Sequence, residues 1–421
     1  MICQSCGAKL PPASATCPSC GAPAEGSLAF KPAPLAGDQM RANNVIEAVR
    51  HGSVPRNEVD LFTVGRERYL TALQADLAFI AAGGFKLRLL AGDLGYGKTH
   101  LLTVFARIAL QQGFAVAHVE LHAREAPLER SETIVPAIIR NTVFPGHRGI
   151  ETHLRDWVQS NDLLDKKQME SWLQDTAPSL EFRALLRAAM QASDPSRSPD
   201  LIVDVVRWLD GGAPTAGLAA ATGIRSAIKA YMAADILTSF IRFVRCTGIS
   251  GFILLLDEAD SITSLAQANR REEANQTLKR LLDNVEGRTH FEVVFATTSK
   301  FLEDEARGAQ SYPALWERLR TAVKTVGFNP HSTVLRLAPL EKPELRRLGA
   351  TLQQLHGEAY SWKPNLTMTQ LDAVSDAAYG KGLGGPPRWF VTILIAVLDG
   401  LEANQSADFD KLLEAGRATA K

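Results

Sequence analysis

The sequence predicts an α/β protein built on a parallel β-sheet, and two stretches carry that prediction. Residues 87–100 begin as an apolar run, Leu87-Arg88-Leu89-Leu90-Ala91, and pass through the turn Gly92-Asp93-Leu94-Gly95-Tyr96-Gly97. They close on Lys98-Thr99-His100 and continue as an amphipathic pattern at Leu101, Leu102, Phe105, Ile108 and Ala109. That succession is strand, loop and helix. The second stretch, Phe252-Ile253-Leu254-Leu255-Leu256-Asp257-Glu258-Ala259-Asp260, is a continuous apolar run ending in adjacent carboxylates, as expected of a parallel strand buried on both faces.

The spacing from Gly92 to Gly97-Lys98-Thr99 is the phosphate-loop pattern, in which glycines let backbone N–H groups wrap a phosphate closely. A helix starting near Lys98 turns the positive end of its dipole toward the same anion. Lys98 would reach the β and γ phosphates, and the Thr99 hydroxyl would bind Mg²⁺. Asp257 would hold the same Mg²⁺ through water, and Glu258 would orient and polarise the attacking water. A bare match to the first pattern can be an ordinary turn, and an apolar strand ending in acid is common. Together they imply a nucleotide-hydrolysis site.

The chain has 421 residues, enough for two or three domains. Its 46 basic residues balance 46 acidic ones, so bulk charge draws it to neither nucleic acid nor anionic lipid, and any DNA contact must come from a local patch. No apolar run approaches the roughly 20 residues of a membrane helix, and no export signal opens the sequence. The expectation is a cytoplasmic protein with no membrane partner. Four of the five cysteines stand at the N-terminus as Cys3-x-x-Cys6 and Cys17-x-x-Cys20, each pair followed by glycine. Two such turns suit a tetrahedral structural Zn²⁺ site, with metal binding supplying most of the segment's folding free energy. The alternative, a pair of disulfides, would suit a secreted chain. Cys246 reads as a small buried hydrophobe.

Taken in order, residues 1–22 read as the zinc ribbon and 23–40 as a linker rich in Pro, Ala and Gly. Residues 41–340 form the α/β core and 341–421 a helical C-terminal lid. Within the core, Phe114 to Leu121 alternates as a second strand, and about 125–235 is a helical insertion, since an ordinary crossover needs far fewer residues. A charged helix spans Ala268 to Glu286, whose Arg270, Arg271, Lys279 and Arg280 read as a solvated face more readily than a binding surface. Phe291 to Ser299 is a buried strand ending in Thr297 and Thr298, either of which could sense the γ-phosphate or simply cap the strand. Arg318 and Arg320 come next, and Thr333 to Leu340 supplies a fifth strand. Pro386-Pro387-Arg388 places Arg388 in the first turn of a helix, aimed at a shared site.

The run Val64-Gly65-Arg66-Glu67, the phosphate loop, the Asp257-Glu258 strand, the Thr297-Thr298 strand end, the two arginines and the Pro387-Arg388 pair together resemble an AAA+ ATPase of the origin-recognition and STAND-type branch. More narrowly, Ile46 to Pro55 leading into Val64 to Glu67, and Ala81-Ala82-Gly83-Gly84 before the first strand, resemble the family of BrxD, the ATP-binding protein of BREX phage-defence islands. The similarity covers roughly residues 41 to 400. It implies an AAA+ core with a five-stranded parallel sheet, bound ATP with Mg²⁺, and ATP hydrolysis coupled to assembly or to remodelling of DNA or protein partners. Carried over residue by residue, Val64, Gly65 and Arg66 would line the adenine pocket, and Gly92 to His100 would bind the nucleotide. Asp257 and Glu258 would be Walker B, Thr298 sensor 1 and Arg388 sensor 2. Arg318 or Arg320 would be an arginine finger offered to a neighbouring subunit, although a structural salt bridge explains either arginine nearly as well. The partners so implied are further copies of the chain or a second ATPase or helicase. The zinc ribbon is a departure from this pattern.

Two other readings stay open. Asp257-Glu258-Ala259-Asp260 spells a helicase motif, but such an enzyme needs a second complete α/β domain, and the chain beyond residue 340 is largely helical in pattern. A nucleotide-gated switch of the STAND type would keep both Walker motifs and hydrolyse ATP slowly or not at all.

Overall fold

The computed structural model describes residues 37–122, 126–160, 166–191, 201–284, 287–324, 327–380 and 385–419. The expected zinc ribbon, with Cys3, Cys6, Cys17 and Cys20, and the linker up to residue 36 lie outside the described residues.

Among the described residues six strands form one sheet: β1 (Phe85–Ala91), β2 (Ala115–Glu120), β3 (Thr142–Val143), β4 (Phe252–Asp257), β5 (Phe291–Thr297) and β6 (Val334–Arg336), in the order β3-β2-β4-β5-β1-β6. Five are parallel, as expected; the sixth, β3, is an antiparallel edge of two residues. A β-branched pair that short leaves no periodicity to read. Every residue of β4 and β5 is buried, and their side chains alternate between two cores. Leu254 and Leu256 face the helices between Ser131 and Cys246, whereas Ile253, Leu255 and Val294 pack on Leu101 and Phe105 of the phosphate-loop helix Lys98–Gln111. Each such buried side chain contributes about 1.5–3 kcal/mol.

Register levels the carboxyl ends of the strands. Ala91 pairs with Thr297 and Glu120 with Asp257, so β1, β5, β4 and β2 all deliver their last residues to one edge, where open α/β sheets bind ligands. β5 lies between the phosphate-loop strand and the Walker B strand.

The lid helices Lys342–Tyr360, Met368–Tyr379 and Pro386–Ala403 start where their sequences say. The first two carry capping boxes, Glu341 with Glu344 and Thr367 with Gln370, and the third opens on two prolines. They share a core with the helix Gly37–Arg50, whose Val45, Ile46 and Val49 pack among Leu345, Leu352 and Phe390. Asn43 Nδ2 donates to the Ala359 carbonyl at 3.1 Å, and Arg50 pairs with Asp399 at 2.7 Å. The helix that the sequence reading split between linker and core therefore buries its apolar face in the lid. Sequence proximity to the core hid this, because the partners of an amphipathic face are not written in its periodicity.

Candidate nucleotide site

The phosphate loop needs two left-handed turns, and glycine occupies both: Gly95 has φ 80° and Gly97, which caps the helix Lys98–Gln111, has φ 88°. At Gly95 a Cβ would come within 2.7 Å of the Gly385 nitrogen, so only glycine lets the lid approach there. The Gly385 amide donates to the Leu94 carbonyl at 2.5 Å, and the first turn of the lid helix Pro386–Ala403 rests directly on the loop.

Loop, strand ends and lid enclose a cavity of about 480 Å³. Its wall includes Lys98, Thr99, Asp257, Glu258 and Thr298 from the core and Arg388 from the lid. Val64, Arg66, Leu94, Gly95, Tyr96, Gly97 and His100 also line it. Lys98 Nζ donates to the Gly92 carbonyl at 2.8 Å and to that of Asp93 at 3.2 Å. Burial lowers its pKa, while Asp260, Asp257 and other carboxylates pull the opposite way.

Burial alone would raise the Asp257 pKa. The His118 imidazole 3.8 Å away, the nearby Thr99 hydroxyl and the hydrogen bond from the Glu258 amide at 2.9 Å outweigh it and hold the carboxyl below its ordinary value. A Thr hydroxyl close to a carboxylate held below its ordinary pKa is a pair of hard oxygen donors, which suits Mg²⁺; this ion takes few protein ligands and completes its shell with phosphate and water. Among the described residues no group of three or more His, Cys, Asp or Glu side chains is placed to hold a metal by itself.

Glu258 comes next in a left-handed backbone conformation, φ 56°, uncommon for a residue with a Cβ. Burial raises its pKa first, and the neighbouring charges of Glu120, Asp257 and Asp260 add to the shift. Glu120, the last residue of β2, stands close enough to Glu258 for its charge to be felt there. The sequence reading missed Glu120, His118 and Asp260. The signal was present, polar side chains at the end of an alternating strand, but only the strand order reveals that β2 borders β4.

Thr298, expected at the γ-phosphate, lines the cavity and caps the short helix Ser299–Glu303, whereas Thr297 is fully buried and pairs with Ala91 within the sheet. Arg66 is only 4% exposed and donates to the carbonyls of Tyr96 at 2.7 Å and Ala338 at 3.0 Å. His100 packs edge-on to Phe62 and meets the Thr63 hydroxyl at 2.8 Å; burial and then Arg66 lower its pKa to about 4, so it is neutral. Gly65 adopts φ 68° against Leu340, the last core residue, and Glu344 of the first lid helix. Arg318 and Arg320 are exposed on the helix Pro313–Lys324, outside the cavity wall, and Arg318 pairs with Asp283 at 2.9 Å.

No described helix is long and apolar enough to cross a membrane. Residues 2–24 match the zinc-ribbon domain family. No curated protein sequence matches the chain. Among solved structures it is similar to the ORC2 protein of Aeropyrum pernix in its ADP form, at 17% identity and a TM-score of 0.46, over 88% of this chain and 72% of that one. It is also similar to the ORC1 protein of the same organism in complex with DNA, at 15% identity and a TM-score of 0.42, over 88% and 68%. The family described as BREX system ATP-binding protein BrxC/D matches residues 38–160 and 147–417. Those spans hold the phosphate loop, the Walker B strand and the lid, and the chain belongs to the BrxC/BrxD family of BREX ATP-binding proteins.

Proposed function

We propose that this chain is a Mg²⁺-dependent AAA+ ATPase of the cytoplasm that couples its nucleotide state to assembly, or to remodelling of a DNA or protein partner, in phage defence. The observation that carries the reading is the single cavity walled by Lys98, Thr99, Asp257, Glu258, Thr298 and Arg388. In this reading the loop amides and Lys98 hold the phosphates of ATP, and Thr99 and Asp257 hold Mg²⁺. Bound there, Mg²⁺ offsets the phosphate charge. Glu258 takes the proton of the attacking water, Thr298 orients that water or the γ-phosphate, and Arg388 reports the phosphate to the lid. Val64 and Phe62 offer apolar surface to the base.

Arg318 or Arg320 acts as the finger of a neighbouring subunit. Their exposure on one helix outside the chain's own cavity supports that role. A finger is typically worth a factor of ~10³ to 10⁵ in rate, so turnover per chain rises with protein concentration. The N-terminal cysteines bind one Zn²⁺ per chain, as their match to the zinc-ribbon family supports.

One observation favours the second reading, a slow nucleotide switch. Burial first, and then the carboxylates of Glu120, Asp257 and Asp260 beside it, disfavour the ionised form of Glu258 that a base needs. ATP turnover measured against protein concentration, with and without DNA, separates the two. The ATPase reading expects a rate that climbs with concentration and falls about 100-fold or more in Glu258→Gln. A flat rate near zero, equal in wild type and Glu258→Gln, selects the switch.

A further inference from the structure

The lid joins the core through the segment after β6, and two side chains from the first turn of the helix Glu67–Ala81 hold that segment. Tyr69, fully buried, donates its hydroxyl to the Arg336 carbonyl at 2.8 Å and accepts the Ala338 amide at 2.9 Å. Arg68 donates to the same hydroxyl at 2.8 Å, and Phe328 meets the ring edge-on. Arg66 donates to the Ala338 carbonyl, so both polar backbone groups of Ala338 are taken by this one turn. The guanidinium also donates to the carbonyl of Tyr96, inside the phosphate loop. One buried planar cation thus spans the loop that would hold phosphate and the hinge that carries the lid.

We infer that Arg66 is a positioning residue, with Tyr69 as its support, that transmits occupancy of the phosphate loop to the hinge at Arg336–Ala338. The inference rests on the nucleotide-site reading above and assigns Arg66 a task other than lining the adenine pocket. A guanidinium presents several N–H donors in a fixed fork, so it can serve two carbonyls from different segments at once. A lysine ammonium at the end of a flexible stem cannot reproduce that geometry. Burial matters as well. Two carbonyls held by separate nitrogens of one guanidinium away from water are coupled through it, because a shift that breaks either bond leaves a backbone acceptor unsatisfied. When phosphate draws the loop amides around it, the Tyr96 carbonyl shifts with them and Arg66 shifts the hinge. A Cβ at Gly65 would clash with Glu344 of the first lid helix and with Leu340 just before it, so the two segments are in close contact there.

Amide hydrogen exchange of the full chain, with and without Mg²⁺ and the non-hydrolysable analogue AMP-PNP, tests this. Two peptides are tracked, residues 92–100 in the loop and 336–345 across the hinge. In wild type the analogue slows exchange in both. In Arg66→Lys, the nucleotide-dependent slowing at the hinge falls about fivefold or more relative to that at the loop. Tyr69→Phe keeps the buried ring and the Arg66 contact to the loop, and loses hinge slowing in the same sense, so it carries the test should Arg66→Lys fail to fold. Hinge slowing equal to wild type in the variants overturns the inference, as does a wild type protected at the loop but never at the hinge. A wild type protected at neither peptide removes the nucleotide-site reading itself, and the inference with it.

Discussion

At the carboxyl edge of the sheet, Lys98, Asp257, Glu258 and Asp260 line a cavity. Toward the opposite edge, Asp76 of the helix Glu67–Ala81 is packed over Lys86, Arg88 and Glu292 of the strands. There Arg88 pairs with Asp76 at 2.7 Å, Lys86 reaches the same carboxylate, and the Arg88 guanidinium holds the carbonyls of Pro330, at 2.7 Å, and Ser332. Glu292 is fully buried with no hydrogen-bond partner for either oxygen among the described residues. Burial and then the charge of Asp76 push its pKa well up, which favours the neutral carboxyl. The residue types are alike at the two edges. Access to a cavity and left-handed backbone turns mark the carboxyl edge as a place for chemistry, while the other cluster fixes the position of β6 and so of the lid hinge.

That contrast breaks most visibly at Arg88. Arg88→Met leaves the Asp76 charge short of its main partner and should cost about 3–5 kcal/mol in denaturant unfolding; a loss below ~1 kcal/mol would mean that the cluster is not structural. Next in size is an acid effect at the other edge. His100 has a folded pKa lowered to about 4 from an ordinary 6.5. Below 6.5 the unfolded chain binds the extra proton, so stability is full above that pH and declines as pH falls toward 4, by roughly 2–3 kcal/mol. Thermal unfolding from pH 7 to 4 should decline less steeply in His100→Gln, and an unchanged slope would place the acid sensitivity elsewhere. Smallest is Glu292→Gln, whose amide mimics the protonated carboxyl. Because the wild-type group has a raised pKa, its contribution is retained at low pH and lost as pH rises above 4.5. The variant should match wild type near pH 4.5 and exceed it at pH 8; equal stabilities at both would show Glu292 ionised.

The phosphate loop and the Walker B strand were legible because both reduce to short-range facts: glycine where φ is positive, apolar runs where a strand is buried twice. Arg388 was legible for the same reason, since Pro386 and Pro387 mark a helix start. What stayed hidden depends on pairing. Leu87-Arg88-Leu89 reads as an apolar strand with one charge, and nothing local says that Asp76 waits across the interface. Glu120 becomes a neighbour of Glu258 only through the order of β2 and β4, and the helix Gly37–Arg50 shows its apolar stripe without naming the lid as its partner.

The central claim is that the loop ahead of Lys98 and the acidic pair at Asp257 and Glu258 serve one bound triphosphate. Calorimetric titration of the full chain with ATP and Mg²⁺, beside Lys98→Ala, tests it most directly. The account predicts saturable binding by wild type, with stabilisation of about 4 kcal/mol when ATP exceeds Kd ~1,000-fold, and loss of binding in a Lys98→Ala variant that unfolds at the same temperature as wild type without ligand. Equal ATP affinity in the two proteins would contradict it.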